Sequence, residues 1–103
     1  MSELNLFEMK EDNILKASKA LKAMGHPLRL KILCVISDGE MPVMDIVAKV
    51  GTTQSNVSQH IDILREKGIV TSRREGSKIY CQVADKEIIN LLQAMQATFC
   101  PTL

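Results

Sequence analysis

The chain has 103 residues, of which 46% are hydrophobic, 24% are charged and only 3% are aromatic. This length and composition predict one domain over residues 1–103, with a core of packed helices rather than a sheet sandwich. The formal net charge of +1 does not by itself indicate a protein that binds nucleic acid.

Membrane and secretion signals are missing from the sequence. No apolar run reaches the roughly 20 residues that a membrane span needs. Residues 1–16 carry four acidic residues, unlike a signal peptide. We therefore expect a cytosolic protein without a membrane partner, in which three cysteines are not a disulfide scaffold and any functional one acts through thiol chemistry.

The first half of the chain predicts three short helices, over about residues 8–24, 27–36 and 42–50. Pro27 suits the first turn of the second helix, where its missing N–H costs nothing. His26 beside it is interpreted as a structural residue of the helix boundary. Thr52 or Thr53 is expected to cap the helix that follows.

The fourth predicted helix begins near residue 54 and has two different faces. Val57, Ile61 and Leu64 recur at i, i+4 and i+7, which places them in one apolar stripe facing a core. The opposite face carries uncharged polar side chains at Ser55 and Gln59, and large charged side chains occur only at its C-terminal end. Such side chains read base edges when the N-terminus of a helix enters the major groove. The pattern is typical of a helix-turn-helix recognition helix.

The hydrophobic period changes after this helix. Residues 69–74 and 78–83 alternate as two strands around a turn at 75–77, which predicts a β-hairpin with glycine at its tip. Asp85 is placed to cap a last helix over about 86–99. The order α-α-α-α-β-β-α predicts a mainly α protein with a small β-hairpin, which is a winged helix-turn-helix.

Three local strings add a family resemblance to this order: residues 25–33 (GHPLRLKIL), 54–61 (QSNVSQHI) and 73–80 (RREGSKIY). With them the chain resembles the ArsR/SmtB family of small dimeric bacterial repressors, in unbroken register over about residues 14–100. The resemblance implies a homodimer that binds double-stranded operator DNA at an inverted repeat. It also implies that an inducer releases or rearranges the protein on DNA.

The resemblance assigns base reading to the fourth helix. The base-reading positions of the family match four residues of this sequence, with Asn56 on the flank of the same face: Gln54, Ser55, Ser58 and Gln59. His60 matches a recurrent histidine of the family. By its helical angle it lies near the buried edge, where it would contact either a phosphate or a local structural partner.

The hairpin matches the DNA-contacting wing of the family. Arg73, Arg74 and Lys78 match wing positions that reach phosphates or the minor groove. The alternative is that they are ordinary solvated charges of a hairpin. Tyr80 lies on the outward side of its strand, within reach of the DNA backbone.

Both familiar metal sites of the family lack their ligands in this sequence. Pro42 and Met44 occupy the positions of two cysteine ligands. Proline has no ligand atom, and a lone thioether is a poor ligand for zinc or arsenite compared with a thiolate. Residues 85–99 contain no histidine for the second site. The sequence therefore predicts no metal and no cofactor.

Two cysteines suggest that the protein responds to an inducer other than a metal. Cys34 in the second helix and Cys100 at the end of the last one are similar in placement to the dithiol pair of the HlyU-like, sulfide- and redox-responsive branch. In that branch a disulfide or polysulfide bridge weakens DNA binding. The alternative is that Cys34 is a small buried hydrophobe and Cys100 a residue at a frayed helix end.

Two further expectations concern the thiols. Cys81 alternates with Ile79 and Val83, so the pleat directs it into the core. A thiol at a helix C-terminus meets the negative end of the helix dipole, which disfavours the thiolate. Arg29 or Lys31 could therefore supply a compensating positive charge.

The last predicted helix carries more apolar surface than a small helical core can cover, and such surfaces normally mark an interface. We expect a homodimer formed by the first and last helices, with five interface residues: Ile88, Leu91, Leu92, Met95 and Phe99. A two-fold dimer would place two recognition helices about one DNA turn apart.

These features predict a sequence-specific DNA-binding transcriptional regulator, either a repressor or an anti-repressor. Its operator affinity would be controlled by oxidation or persulfidation of Cys34 and Cys100. Two alternatives stay open: a metal-responsive repressor of the same family with unrecognised ligands, and a winged helix that binds only proteins. An enzyme is disfavoured, because the sequence has no glycine-rich phosphate loop and no paired acid–base constellation.

Overall fold

The computed structural model describes residues 5–100, so the predicted domain of residues 1–103 extends beyond them at both ends. A 3-10 turn at Leu6–Glu8 precedes the helices. The helices are α1 (Glu11–Met24), α2 (Pro27–Val35), α3 (Val43–Val50), α4 (Gln54–Glu66) and α5 (Lys86–Phe99). The strands are β1 (Met41–Pro42), β2 (Val70–Glu75) and β3 (Lys78–Val83). The predicted winged helix-turn-helix is confirmed, with α4 as the recognition helix and the β2–β3 hairpin as the wing.

The wing is an antiparallel hairpin whose turn contains Gly76 at a φ of +62°, in the left-handed region that favours glycine. β3 lies in the middle of the sheet, between β1 and β2. The register sets Ser72 opposite Cys81 and Arg73 opposite Tyr80. Because side chains alternate along a strand, Ser72 and Cys81 share the inner face, whereas Arg73 and Tyr80 share the outer one.

The core forms between α2, α3, α4 and the inner face of the sheet. Val57, Ile61 and Leu64 are each at most 1% exposed, which confirms the predicted apolar stripe of α4. They join a cluster of other fully buried side chains that includes Ile32, Leu33, Ile36, Ile46, Val70 and Cys81. Burial of this stripe directs the opposite, polar face of α4 outward. No helix within residues 5–100 is long and apolar enough to cross a membrane.

Side-chain caps fix where three helices begin. His26 Nδ1 accepts a hydrogen bond from a backbone N–H in the first turn of α2 at 3.1 Å, which confirms its structural interpretation. Thr53 Oγ1 does the same for α4 at 3.1 Å, so Thr53 rather than Thr52 is the cap. Asp85 caps α5 as predicted, with Oδ1 2.8 Å from a backbone N–H.

Several helix and strand boundaries differ from the sequence prediction. α1 begins at Glu11 rather than near residue 8, because Met9 and Lys10 are extended after the 3-10 turn. The wing begins one residue later than predicted. The N–H of Ile69 donates to the carbonyl of Leu64 at 2.9 Å, so Ile69 lies in the turn that follows α4.

The short strand β1 has no counterpart in the sequence prediction. Pro42 is extended, with a ψ of 145°, and stands before α3 rather than beginning it. It lies opposite Tyr80 of β3, and Met41 lies opposite Cys81. Two residues are too short for a detectable alternation of side chains. The strand joins the loop after α2 to the wing. α2 itself ends at Val35, one residue before the predicted end.

Candidate DNA interface and thiol pair

The N-terminal half of α4 presents a polar surface. It carries the four predicted base-reading side chains, Gln54, Ser55, Ser58 and Gln59. Ser58 is half-buried and the other three are exposed. Asn56 differs from them, because its Nδ2 donates to Thr52 Oγ1 at 3.2 Å. Asn56 therefore braces the turn that leads into α4.

A cleft of about 430 Å³ separates α4 from the wing. Gln54, Ser58 and Arg65 line it from α4, and Ser77 and Lys78 line it from the hairpin. Two of the four predicted base-reading residues, Gln54 and Ser58, thus border the same cleft as Lys78, one of the three predicted wing cations.

Hydrogen bonds connect α4 with the inner face of the wing. Arg65 Nε donates to Ser72 Oγ at 3.0 Å, and Arg65 Nη1 pairs with Asp62 at 2.7 Å. Arg74 follows Ser72 on the same face, nearer the tip, and its side chain is exposed. The position of Arg74 relative to α4 is therefore set by a neighbour two residues away.

Arg73 lies on the outer face, where two carboxylates and an aromatic ring surround it. Its Nε and Nη2 donate to the two carboxylate oxygens of Glu40 at 2.7 and 2.8 Å. Its Nη1 donates to Glu75 at 2.6 Å. The guanidinium carbon lies 4.5 Å from the centre of the Tyr80 ring. The predicted outward position of Tyr80 is confirmed, and its ring faces Arg73.

This arrangement changes the titration of both partners. The hydrogen bond from Arg73 lowers the pKa of the Glu40 carboxyl, and the bonds to Glu40 and Glu75 raise the pKa of Arg73. No pattern in the sequence pointed to Glu40, because an acidic residue beside a loop glycine is indistinguishable from a solvated charge.

His60 forms a local bond from the buried edge of α4. Arg29 Nη1 lies 3.1 Å from His60 Nδ1, and Arg29 Nε donates to the carbonyl of Ala23 at 2.6 Å. The ring of His26 lies against that of His60, with ring centres 4.6 Å apart. Burial, His26 and Arg29 all lower the pKa of His60. Arg29 thus connects the ends of α1 and α2 to the recognition helix.

Cys34 and Cys100 are exposed, so the interpretation of Cys34 as a buried hydrophobe is wrong. Partial shielding by neighbouring atoms raises the pKa of the Cys34 thiol, and the charge of a Cys100 thiolate raises it further. The second effect requires the two sulfurs to lie near each other. The fold therefore places two cysteines that are far apart in sequence within electrostatic range of each other.

The two cations predicted to lie near the cysteine pair, Arg29 and Lys31, form bonds with other groups instead. Arg29 is bonded to His60 and Ala23, and Lys31 Nζ donates to the carbonyl of Val50 at 3.4 Å. Both side chains are directed toward other helices because backbone carbonyls there lack an intrahelical donor.

Cys81 is fully buried, as the alternation of β3 predicts. Burial raises the pKa of its thiol, against a smaller opposing effect of the hydrogen bond with Ser72. Its sulfur lies 3.7 Å from Ser72 Oγ. A buried, protonated thiol is a poor nucleophile, so Cys81 has a structural role.

The apolar residues of α5 divide into two groups. Leu92 is 5% exposed and belongs to the core of the single chain. Its side chain is therefore not available to a dimer interface, contrary to the sequence prediction. Leu91 and Phe99 are 45% and 75% exposed, and Ile88 and Met95 are half-buried. On α1, Ile14, Leu15 and Leu21 are also exposed. Both predicted interface helices therefore present uncovered apolar surface.

No group of three or more histidine, cysteine or acidic side chains that could hold a metal ion occurs among residues 5–100. The two histidines are near each other, but the ring nitrogens identified above bond to an N–H and to a guanidinium.

The sequence is similar to known bacterial regulators. The family described as bacterial regulatory protein, arsR family, matches residues 26–72. The biofilm growth-associated repressor of Agrobacterium fabrum is 39% identical over 80 residues, which are 78% of this chain and 68% of that protein. The transcriptional activator HlyU of Vibrio cholerae is 34% identical over 97 residues, or 94% of this chain and 89% of that protein.

Solved structures share the architecture. HlyU from Vibrio cholerae has a TM-score of 0.83 at 32% identity, covering 88% of this chain and 99% of that chain. The same protein in its reduced form has a TM-score of 0.80. A homodimeric winged helix-turn-helix DNA-binding domain from Mycobacterium bovis, a possible ArsR-family regulator, has a TM-score of 0.80 at 26% identity. It covers 95% of this chain and 89% of its own.

The lowered pKa of His60 predicts a loss of stability on acidification. The folded state binds this proton more weakly than the unfolded state, whose histidine pKa is near the ordinary 6.5. The stabilisation is fully present above that value and is lost as the pH falls below it toward the lowered folded pKa. Urea unfolding at about pH 7.5 and about pH 5.5 spans this window while most carboxylates stay ionised.

His60→Asn is the matched variant, because asparagine retains a hydrogen-bond acceptor near the Nδ1 position and does not titrate. The wild type should lose more stability than this variant between the two pH values. Equal losses in the two proteins would contradict the lowered pKa of His60, since the two proteins share every other titratable group.

Proposed function

We propose that this chain, which belongs to the arsR family of bacterial regulatory proteins, releases operator DNA when Cys34 and Cys100 of one subunit are oxidised to each other. Its family makes it a DNA-binding transcriptional regulator and not an enzyme. The observation that carries the thiol proposal is that Cys34 and Cys100 are both exposed and near enough for Cys100 to raise the pKa of Cys34. One solved structure of HlyU, a relative with the same architecture, is of the reduced protein, which supports the proposal that oxidation state matters in this fold.

The polar face of α4 is proposed to read bases. Ser55 and Gln59 are exposed and carry no charge, so they suit direct contact with base edges. His60 accepts from Arg29 through Nδ1, which leaves its remaining proton on Nε2. A local bond and a phosphate contact are therefore compatible roles for His60.

The wing is proposed to bind the DNA backbone through Arg74 and Lys78. Both side chains are exposed, and Lys78 borders the cleft between α4 and the wing. Phosphate contacts of this kind raise the affinity for every sequence and position the recognition helix. Arg73 differs from them because two carboxylates already surround its charge.

A homodimer would cover the exposed apolar surfaces of α1 and α5. Leu91 and Phe99 on α5, and Leu15 and Leu21 on α1, are at least 45% exposed in the single chain. The homodimeric relative from Mycobacterium bovis supports this arrangement. Two-fold symmetry would present two α4 helices to an inverted repeat in the operator.

The proposed switch reaction removes one proton and one electron from each thiol. With peroxide as the oxidant, one thiol first loses its proton, and the thiolate attacks a peroxide oxygen to form a sulfenic acid. The O–O bond breaks, and the hydroxide that leaves takes up the released proton to become water. The second thiol attacks that sulfur, forms the disulfide and releases a second water. A polysulfide is an alternative oxidant, in which a sulfane sulfur accepts the two electrons and leaves as sulfide. Because the pKa of Cys34 is raised, the reaction should accelerate with increasing pH.

The bridge would act on DNA binding from a distance. It would attach the C-terminal end of α5 to α2, and α5 carries part of the proposed dimer surface. A change in dimer geometry alters the spacing of the two α4 helices. Operator affinity would then fall although no base contact is lost.

We expect specificity to depend on α4 and affinity on the wing. Gln59→Ala should reduce the preference for a selected operator over random duplex, since a base-edge contact discriminates by about 1–3 kcal/mol. Arg74→Ala should weaken binding to both duplexes and lower the salt slope by about one. The operator can be selected from a random-sequence duplex library with wild-type protein and then measured by fluorescence anisotropy.

An unchanged operator preference in Gln59→Ala would show that the reading face is assigned incorrectly. A winged helix that binds only proteins would show no salt-dependent binding to either duplex.

Cys34→Ser and Cys100→Ser should each bind the selected operator like the wild type when reduced, and should lose the response to peroxide or polysulfide. Cys81→Ser is the matched control, because Cys81 is buried away from the pair and should leave the response intact. Gel-shift titrations with and without oxidant measure this. The dithiol switch is excluded if both single variants respond as the wild type does.

The protein should be a dimer in sedimentation experiments at micromolar concentration. Phe99→Asp should shift the equilibrium toward monomer, because it places a charge on an apolar surface that is 75% exposed in the single chain. Asn90→Asp on the same helix is a charge-matched control. A monomeric wild type would contradict the dimer and the inverted-repeat operator together.

A further inference from the structure

Three side chains connect the two edges of the sheet across its outer face. Glu40 stands directly before β1 at one edge, and Arg73 lies on β2 at the other. Tyr80 lies between them on the central strand and opposite Arg73. The Arg73 guanidinium passes over the Tyr80 ring and reaches both oxygens of Glu40. We call this set the outer brace.

The geometry of the outer brace is specific although its partners are partly solvent-exposed. A single exposed ion pair contributes at most about 1 kcal/mol. Here, however, a planar guanidinium makes two parallel bonds to one carboxylate, which fixes orientation as well as distance. The same guanidinium stacks on an aromatic ring. The outer brace is therefore better suited to orienting the wing than to stabilising the fold.

The charges around Arg73 also distinguish it from Arg74, the next residue of the wing. Glu40 and Glu75 together place two negative charges around this one guanidinium. A phosphate contact by Arg73 would have to break these bonds and would bring both carboxylates toward DNA. Arg74 lies on the other face of the same strand, and its exposed side chain has no salt bridge within residues 5–100.

We propose that Glu40 and Arg73 are positioning residues that hold the wing in its DNA-binding orientation, with Tyr80 as the platform between them. The inference rests on the proposed contact between the wing and DNA. It assigns a supporting role to an acidic residue and removes Arg73 from the residues that touch phosphate.

This assignment predicts an effect of unusual sign. Removal of a negative charge near DNA normally strengthens binding, because repulsion from the phosphates decreases. Glu40→Gln should instead weaken binding to the selected operator. The loss should be about two- to five-fold if the brace contributes as much free energy as an exposed ion pair does. The salt slope should stay at the wild-type value, since no phosphate contact is lost.

Arg73→Lys is the second variant, because lysine keeps the charge and loses the bidentate geometry. It should weaken binding as Glu40→Gln does, whereas a simple phosphate contact would tolerate lysine. Glu75→Gln is the matched control: it removes a wing carboxylate but leaves the bonds between Arg73 and Glu40. It should bind as tightly as the wild type or more tightly.

The variants are compared by anisotropy titrations with reduced protein over a series of salt concentrations, after circular dichroism has shown that each is folded. Equal or tighter binding by Glu40→Gln, with weaker binding by Arg74→Ala, would overturn the brace and leave the wing contact intact. If Arg74→Ala also left affinity and salt slope unchanged, the wing would not contact DNA and both proposals would fall. Binding by Arg73→Lys with the affinity and the salt slope of the wild type would instead identify Arg73 as a simple phosphate contact and would overturn its role in the brace.

Discussion

The burial of one face of α4 is the constraint on which the rest of the molecule depends. Val57, Ile61 and Leu64 are almost completely excluded from solvent, and a rotation of the helix would expose them. Since a buried leucine or isoleucine contributes about 1.5–3 kcal/mol, the orientation of α4 is strongly determined. The polar face with Ser55 and Gln59 is consequently held outward without interactions of its own. The orientation of the proposed base-reading face is thus a consequence of packing on the opposite side of the same helix.

Internal bonding explains how a nearly neutral chain can serve as a DNA-binding protein. Three of its four arginines bond within the fold. Arg29 bonds to α1 and to His60 of α4. Arg65 bonds to Asp62 and Ser72, and Arg73 bonds to Glu40 and Glu75. These cations orient the recognition helix and the wing rather than adding to the field around the molecule. A modest number of exposed cations is then sufficient for phosphate contacts, because their geometry is already set.

The sequence predicts those features that repeat with a regular period. The α4 stripe, β3 and α5 follow from spacing, and the caps at Thr53 and Asp85 follow from residue type. β1 is too short to carry a period, so it was not predictable. The partners of Arg73 were not predictable either, because Glu40 is 33 residues away and only the sheet brings them together. Family resemblance indicated the cysteine pair, but the exposure of Cys34 required the fold.

Peptide mapping by mass spectrometry of peroxide-treated wild-type protein tests the thiol proposal most directly. If Cys34 and Cys100 of one subunit form the switch, each chain loses two hydrogen atoms and yields a linked peptide that contains both cysteines, while non-reducing electrophoresis shows a single-chain species. Cys81 should remain a free thiol that is alkylated after unfolding. A bridge between subunits, a bridge to Cys81, or two thiols that stay reduced while operator DNA is released would contradict the account.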